Sequence, residues 1–396
     1  MKPRTIDLAI LGGGCAGLSL ARELASASES GRDIPGVLIL EASPGCSSSK
    51  TWCYWEENWQ AEQSRAPHHW PSWSFSSGKE VHRHESGNWR YTCLPAKAFF
   101  QDALETIERC PLVDLLEGWS VDRVDCLPEG LLVHAGKEQF LCRHLVDTRP
   151  PRREDQLASR LFQGFLGFEV RAKDHTADPG TVGLMESMQS DELGFRFDYI
   201  LPLEPDRLLV EATRFSTEAV SKDQLLDDLR GSLSRLIPSG EFELLREEFG
   251  LIPMGMPDLP QPTDSRWVNA GTRGGAVRPA SGYAFAGIQE WAAACAQHIL
   301  EHDKPIPHPG RPCLLKAMDH LFLDVLAAEP DLAPELFLSM ARHLNPDTFA
   351  RFMTGSCGPG ELIHVIGSLP FKPFLLGLVR KLDLPLNTRP IGKVTS

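Results

Sequence analysis

The ten cysteines of this 396-residue sequence include no CxxC pair, and neither a GxSxG nor a Walker phosphate-loop pattern occurs. Acyl-serine and P-loop chemistry therefore lose their usual support. No internal repeat or low-complexity tract argues for a solenoid or for disorder. Basic residues are outnumbered, 40 against 53 acidic for a net charge of −13, which counts against a dedicated nucleic-acid binder. His68 and His69 are adjacent and have no third ligand at metal spacing, so no metal site is expected. The first apolar run, IDLAIL (6–11), ends at glycines, too short for a secretory core or a membrane span. The expectation is a cytoplasmic chain with reduced, mostly buried thiols.

What the sequence does contain is enough apolar material, 42%, for a sizeable core. Its length predicts two to three lobes at about 150 residues each, or one large α/β domain with an insertion. The run 6–11 leads into Gly12, Gly14 and Gly17, after which Leu18, Ala21 and Leu24 recur at helical spacing; Val37–Leu40 then reads as a second strand closed by Glu41. Residues 45–90 have no helical period and read as loops and short strands. A helix is expected over 97–108, strands over 131–147 and the alternating segment 162–250, and a further helix over 288–302. From 314 onward helices are expected, broken at Pro330, Pro334, Pro346 and the GPG of 358–360.

Gly12-x-Gly14-x-x-Gly17 between a strand and a helix is the pattern that cradles a dinucleotide pyrophosphate. The glycines permit the tight turn, the close backbone approach and the tight helix packing. The helix N-terminus presents free N–H groups to the phosphates, and Glu41 is placed to accept from ribose hydroxyls. This unit suits FAD at least as well as NAD; the alternative is a glycine turn without a ligand. Asp147 closes an apolar strand, a place where flavin proteins often return to the cofactor, but the tripeptide 147–149 alone favours an ordinary strand end. In FRFDYILPLEPDRLLVEATRF (195–215), period-two counting puts Leu209, Glu211 and Thr213 on one face and Leu208, Val210 and Ala212 on the other. On an apolar face the Glu211 carboxyl would be raised and could stay partly protonated, doing acid or base work near neutral pH. Pairing with Arg207 or Arg214 at the sheet surface is the alternative. The tryptophans and histidines of 52–73 supply aromatic faces that suit cations and polyenes, or plain core.

The ordered series GGGCAG, Glu41, KTWCYW (50–55), HHWPSW (68–73), VDTR (146–149), FQGFLGFEV (162–170), the 195–215 block, RPASGYAFAG (278–287) and LNPDTFARFMTG (344–355) resembles the bacterial flavoprotein lycopene β-cyclases. The resemblance implies an α/β protein with a three-layer Rossmann-like FAD-binding domain (1–45, 97–160 and 265–302), a β-rich substrate domain (46–96 and 161–264) and a helical C-terminal region (303–396). It implies a cyclase that uses reduced FAD, with NAD(P)H as reductant, yet catalyses no net redox change. The linear end group is protonated at C2, the C5=C6 double bond attacks the C1 cation, and loss of the C6 proton leaves a β-ring. Glu211 matches the family's acid/base glutamate. Arg149, Gly275 and Gly282 join Gly12, Gly14, Gly17 and Glu41 as cofactor residues, and Trp52, Trp70, Tyr199 and Tyr283 are the substrate-facing aromatics.

Four positions depart from the family pattern. Ala212 stands where a second acidic residue is usual, Thr148 and Pro150 replace two glycines, and Arg278 replaces a histidine. Two other readings share most of these residues: an FAD-dependent monooxygenase or reductase acting on a prenyl or polyene substrate, and a flavin-retaining carotenoid-binding protein without catalysis. A hydrophobic polyene must be collected from lipid. The segment SLPFKPFLLGLVRKL (368–382) is accordingly expected either to touch the inner face of the cell membrane or to pack on the core.

Overall fold

In the computed structural model, which describes residues 3–44, 50–61 and 66–381, the first apolar run becomes β1 (Arg4–Leu11), followed by α1 (Cys15–Glu29) and β2 (Val37–Glu41). Leu8 and Ile10 are buried in one cluster and Ala9 and Leu11 in another. Covering on both faces is what a parallel strand between layers requires. The next segment forms β3 (Thr51–Glu57), the helical turn α2 (Asn58–Ala61), β4 (His68–Trp70), β5 (Ser72–Ser77), β6 (Glu80–Glu85) and β7 (Trp89–Pro95). Then come α3 (Ala96–Glu108), β8 (Val113–Glu117), β9 (Arg123–Leu127), β10 (Gly130–Ala135), β11 (Glu138–Asp147) and α4 (Arg153–Leu157). Four long strands follow, β12 (Leu161–Arg171), β13 (Thr181–Asp191), β14 (Gly194–Glu204) and β15 (Arg207–Ser216), with Pro205-Asp206 as the turn before the last. After α5 (Lys222–Leu236), β16 (Glu243–Met254) and β17 (Trp267–Asn269) complete the strands.

The fold is α/β. One sheet runs β8-β2-β1-β11-β10-β9 with β17 on β11; β8, β2, β1, β11 and β17 are mutually parallel. Helices α1, α3 and α6 (Phe285–His302) cover one side, burying Leu18, Leu24, Phe99 and Trp291. The parallel direction brings Gly12, Glu41, Asp147 and Asn269 out at one edge, the carboxyl ends of their strands, where such sheets bind ligands.

The second sheet runs β16-β12-β15-β14-β13-β5-β6, antiparallel apart from the β5–β13 pair. Leu208, Val210 and Ala212 pack beneath α5, while Leu209 and Phe215 belong to the cluster on the opposite face. That opposite face is covered by the small sheet β3-β7-β4 and by α7 (Cys313–Ala328), α8 (Ala333–His343), α9 (Pro346–Thr354), α10 (Pro359–Gly367) and α11 (Phe371–Lys381). Pro334 does not break a helix, contrary to the sequence expectation. It sits in the first turn of α8, where a missing N–H costs nothing, as Pro346 and Pro359 do in α9 and α10. Of the described cysteines none is in a disulfide, but Cys126 and Cys313 are exposed rather than buried. Cys46, and Leu382 at the end of the apolar tail segment, lie outside the described residues.

Candidate active site

Gly12 lies at φ +103°, a conformation that disfavours a side chain, and carries the chain from β1 into α1. A Cβ on Gly17 would lie 2.0 Å from the Gly12 carbonyl oxygen, so only glycine lets the helix approach this closely. A Cβ on Gly14, by contrast, would meet nothing within 4 Å, and this N-cap has no side-chain hydrogen bond. Among the described residues, the first turn of α1 thus opens on space, which fits a pyrophosphate. Glu41 accepts from the Gly13 amide at 2.6 Å and the Ser43 amide at 2.8 Å, fixing its carboxylate beside the turn. Thr148, in place of a family glycine, donates through Oγ1 to the Leu11 carbonyl at 2.9 Å and ties β11 to the turn.

Arg149 is committed elsewhere. Its guanidinium holds the fully buried Asp147 through Nε at 2.9 Å and Nη2 at 2.8 Å, and also donates to the Val121 carbonyl. Gly275 turns at φ +83° with open space beside it, whereas Gly282, at φ +72°, faces Gln163 and Ile252.

A cavity of about 870 Å³ is lined by Gly14 and Cys15, by Trp52, Tyr199, Glu211, Gly282 and Tyr283, and by Phe371 and Leu378 on α11. Trp52, stacked on Phe285, lines it; Trp70 does not, being buried in the core cluster. Phenylalanines recur along the wall and leave few polar groups, so each of those stands in a poor solvent.

Glu211 is one of them. It is paired neither with Arg207, which holds Glu169 and Glu204, nor with Arg214, which holds Asp191 and Asp228. Its neighbours across the sheet are Tyr199 on β14 and Gly167 on β12. Beyond Gly167 lies Glu248 on β16, a residue the sequence reading did not single out. Burial first, then the adjacent Glu248 carboxyl, push the Glu211 carboxyl well above the usual glutamate range. Tyr199 donates to Tyr91 at 2.9 Å, and Tyr91 and Tyr283 share a hydrogen bond of the same length. Burial raises all three phenols, which stay neutral.

Arg278, standing where the family has a histidine, lines the cavity but is almost wholly buried. Its Nη2 donates to Asp319 at 2.9 Å, and its guanidinium lies 4.3 Å from the Phe352 ring centre. Removing one member of the pair strands a buried charge: Asp319→Asn is expected to cost about 3–5 kcal/mol, read as the change in denaturant unfolding free energy.

The arrangement therefore puts a glycine turn of dinucleotide-binding pattern, a largely apolar chamber and a carboxyl raised above the usual glutamate range on one continuous surface. The "Lycopene beta-cyclase" of Pantoea ananas is 26% identical to this chain, covering 96% of it and 98% of the relative. Among solved structures, a flavoprotein/dehydrogenase from Cytophaga hutchinsonii is similar at TM-score 0.58 and 12% identity, covering 96% of this chain and all of that one. A geranylgeranyl bacteriochlorophyll reductase-like protein from Thermoplasma acidophilum gives TM-score 0.56 at 12% identity over 96% and 97% of the two chains; both are likenesses of fold. The profile of the lycopene cyclase protein family matches residues 7–377, and the chain belongs to that family.

Proposed function

We propose that this protein closes the linear end groups of lycopene, or of a related ψ-ended carotenoid, into β-rings by proton transfer, with reduced FAD bound and no net redox change. The observation that carries this reading is the continuity of the cavity, in which Gly14 and Glu211 share one wall-to-wall space. Gly12, Gly14 and Gly17 and the first turn of α1 would hold the pyrophosphate, with Glu41 beside the ribose. Bound in reduced form, through a nicotinamide nucleotide as electron source, FAD would supply an electron-rich ring that favours positive charge on the substrate.

The chain's own residues do the rest. Glu211 gives a proton to C2 of the end group. The aromatic wall faces the tertiary cation at C1 and keeps water from capturing it. The C5=C6 double bond then attacks C1, and loss of the C6 proton completes the ring, so substrate and product have the same composition. Lycopene-accumulating cells that express this chain are expected to acquire a ringed carotenoid. A pigment profile unchanged by expression would contradict the proposal.

Collection of the substrate from a membrane belongs to the same proposal. No single helix among the described residues is long and apolar enough to cross a bilayer. Helices α10 and α11, however, meet at 103° and expose Ile363, Ile366, Phe371, Leu375 and Leu378. Four of these five also line the cavity, so its mouth is itself an apolar surface. The double variant Phe371→Glu, Leu375→Glu is expected to lose most co-sedimentation with liposomes while unfolding at the wild-type temperature. Equal sedimentation of both proteins would refute this contact.

A further inference from the structure

Three strands meet in register at one point. Gly167 on β12 is opposite Glu211 on β15 and also opposite Glu248 on β16. A side chain at 167 would collide with both: its Cβ would lie 2.8 Å from Glu211 Cγ and 3.1 Å from Glu248 Cγ. The glycine thus leaves the gap through which two carboxyl groups reach each other.

Their surroundings differ. Oε2 of Glu248 accepts from Arg246 at 2.8 Å and from Thr51 at 3.2 Å, and Arg246 is itself held by Glu169 at 2.8 Å. Among the described residues, Oε1 of Glu248 is buried without a donor. A buried carboxylate oxygen in that state is costly. Two ionised carboxylates have no hydrogen to offer one another, whereas a protonated Glu211 donates one.

We propose that Glu211 and Glu248 act as one carboxyl–carboxylate pair sharing a single proton over Gly167, with Glu211 presenting it to the substrate and Glu248 serving as its positioning partner. The inference rests on the proton-transfer reading above and names what sets that proton. Other groups facing Glu211 are Arg246 on β16, Cys53 on β3, Tyr199 on β14 and Tyr283 on the loop before α6. Tyr91 reaches it only through the two tyrosines. None except Arg246 is a cation, and Arg246 faces the Glu248 side. The proton therefore resides on Glu211. Its transfer to C2 leaves two negative carboxylates facing the C1 cation in a water-poor cavity, where their attraction is strong. The proton released from C6 returns to the pair, which starts and ends each ring with one proton.

The test uses flavin-loaded protein and two readouts. With the neighbouring charge removed in Glu248→Gln, the alkaline limb of the pH–rate profile is expected to move down by about one unit or more. The infrared carbonyl band of the protonated acid, followed without substrate, should titrate down with it. Glu248→Asp, which keeps the charge, should retain the wild-type limb. Uniformly slower turnover in Glu248→Gln with limb and band unmoved overturns the pairing, because a merely structural glutamate would behave that way. If Glu248→Gln does not fold, the wild-type band decides. Its presence at neutral pH and loss in Glu211→Gln support the pair, and its absence from the wild type overturns it. Wild-type turnover in Glu211→Gln would instead sink the underlying proton-transfer reading.

Discussion

Glu211→Gln is expected to remove ring formation almost entirely, by at least the ~10²–10⁴-fold that a positioned general acid contributes, while flavin binding is unchanged. The amide keeps the shape and polarity of the side chain but has no proton of suitable acidity. The cofactor turn at Gly12–Gly17 is held by Glu41 and Thr148, and its hydrogen bonds do not involve Glu211. The same substitution has a second signature in stability. A carboxyl whose folded value is raised binds its proton more tightly in the native protein than in the unfolded chain. Its contribution is therefore fully present below the ordinary glutamate value and lost as pH climbs toward the folded one. Glutamine does not titrate, so the variant should gain stability relative to the wild type as pH rises from mildly acidic to neutral. Denaturant midpoints across that range, alongside turnover, separate a catalytic role from a structural one, since a structural glutamate would lose both activity and stability.

Gly17→Ala should be nearly as damaging by an unrelated route. The added methyl would lie 2.0 Å from the Gly12 carbonyl oxygen and 3.1 Å from Ile10 Cγ2 and Thr148 Oγ1, against backbone and a packed β-branched side chain. Nothing there is the free end of a flexible chain, so α1 must move away from β1. Overpacking of this kind costs about 1–3 kcal/mol, and the shift displaces the amides that face the phosphates. The variant should leave a desalting column without flavin, whereas the wild type should leave yellow. Gly14→Ala is the informative control. The space beside Gly14 is open, so it should fold with wild-type stability and lose flavin affinity alone. Retention of full flavin by Gly17→Ala would show that the turn does not hold the dinucleotide.

Some of this could be read along the chain and some could not, for physical reasons. The unit β1-α1-β2 is local: its glycines, helical apolar spacing and closing Glu41 lie within 41 residues, and each signal acts on its own neighbours. The facing of Glu211 follows from the two-residue period of a strand, which the opposite burial of Leu209 and Val210 bears out. Ala212 was the misleading position. Read in sequence it is a lost second acid, yet it lies beneath α5 on the opposite face of β15. A carboxyl there could not touch Glu211. The second acid is Glu248, brought to Glu211 by strand pairing on both sides of β12. Its only local trace is the alternation of Arg246, Glu248 and Gly250 in β16, which says nothing about which strand lies alongside. The aromatic segment has the same limit. Trp52 and Trp70 are alike in sequence, but only the first reaches the cavity, because tertiary packing decides which side of each strand meets it. Arg149 was legible as a charged strand end, while its engagement with the buried Asp147 emerges only when β11 is placed between β1 and β17.

The most direct measurement is the mass and ring content of what the purified, flavin-loaded protein makes from lycopene under anaerobic, reducing conditions. The account predicts a product of unchanged mass carrying one or two β-rings. A product heavier by oxygen or by hydrogen would assign the chamber to oxygenation or reduction, and intact lycopene bound without conversion would leave it a carrier; either result contradicts a proton-driven ring closure.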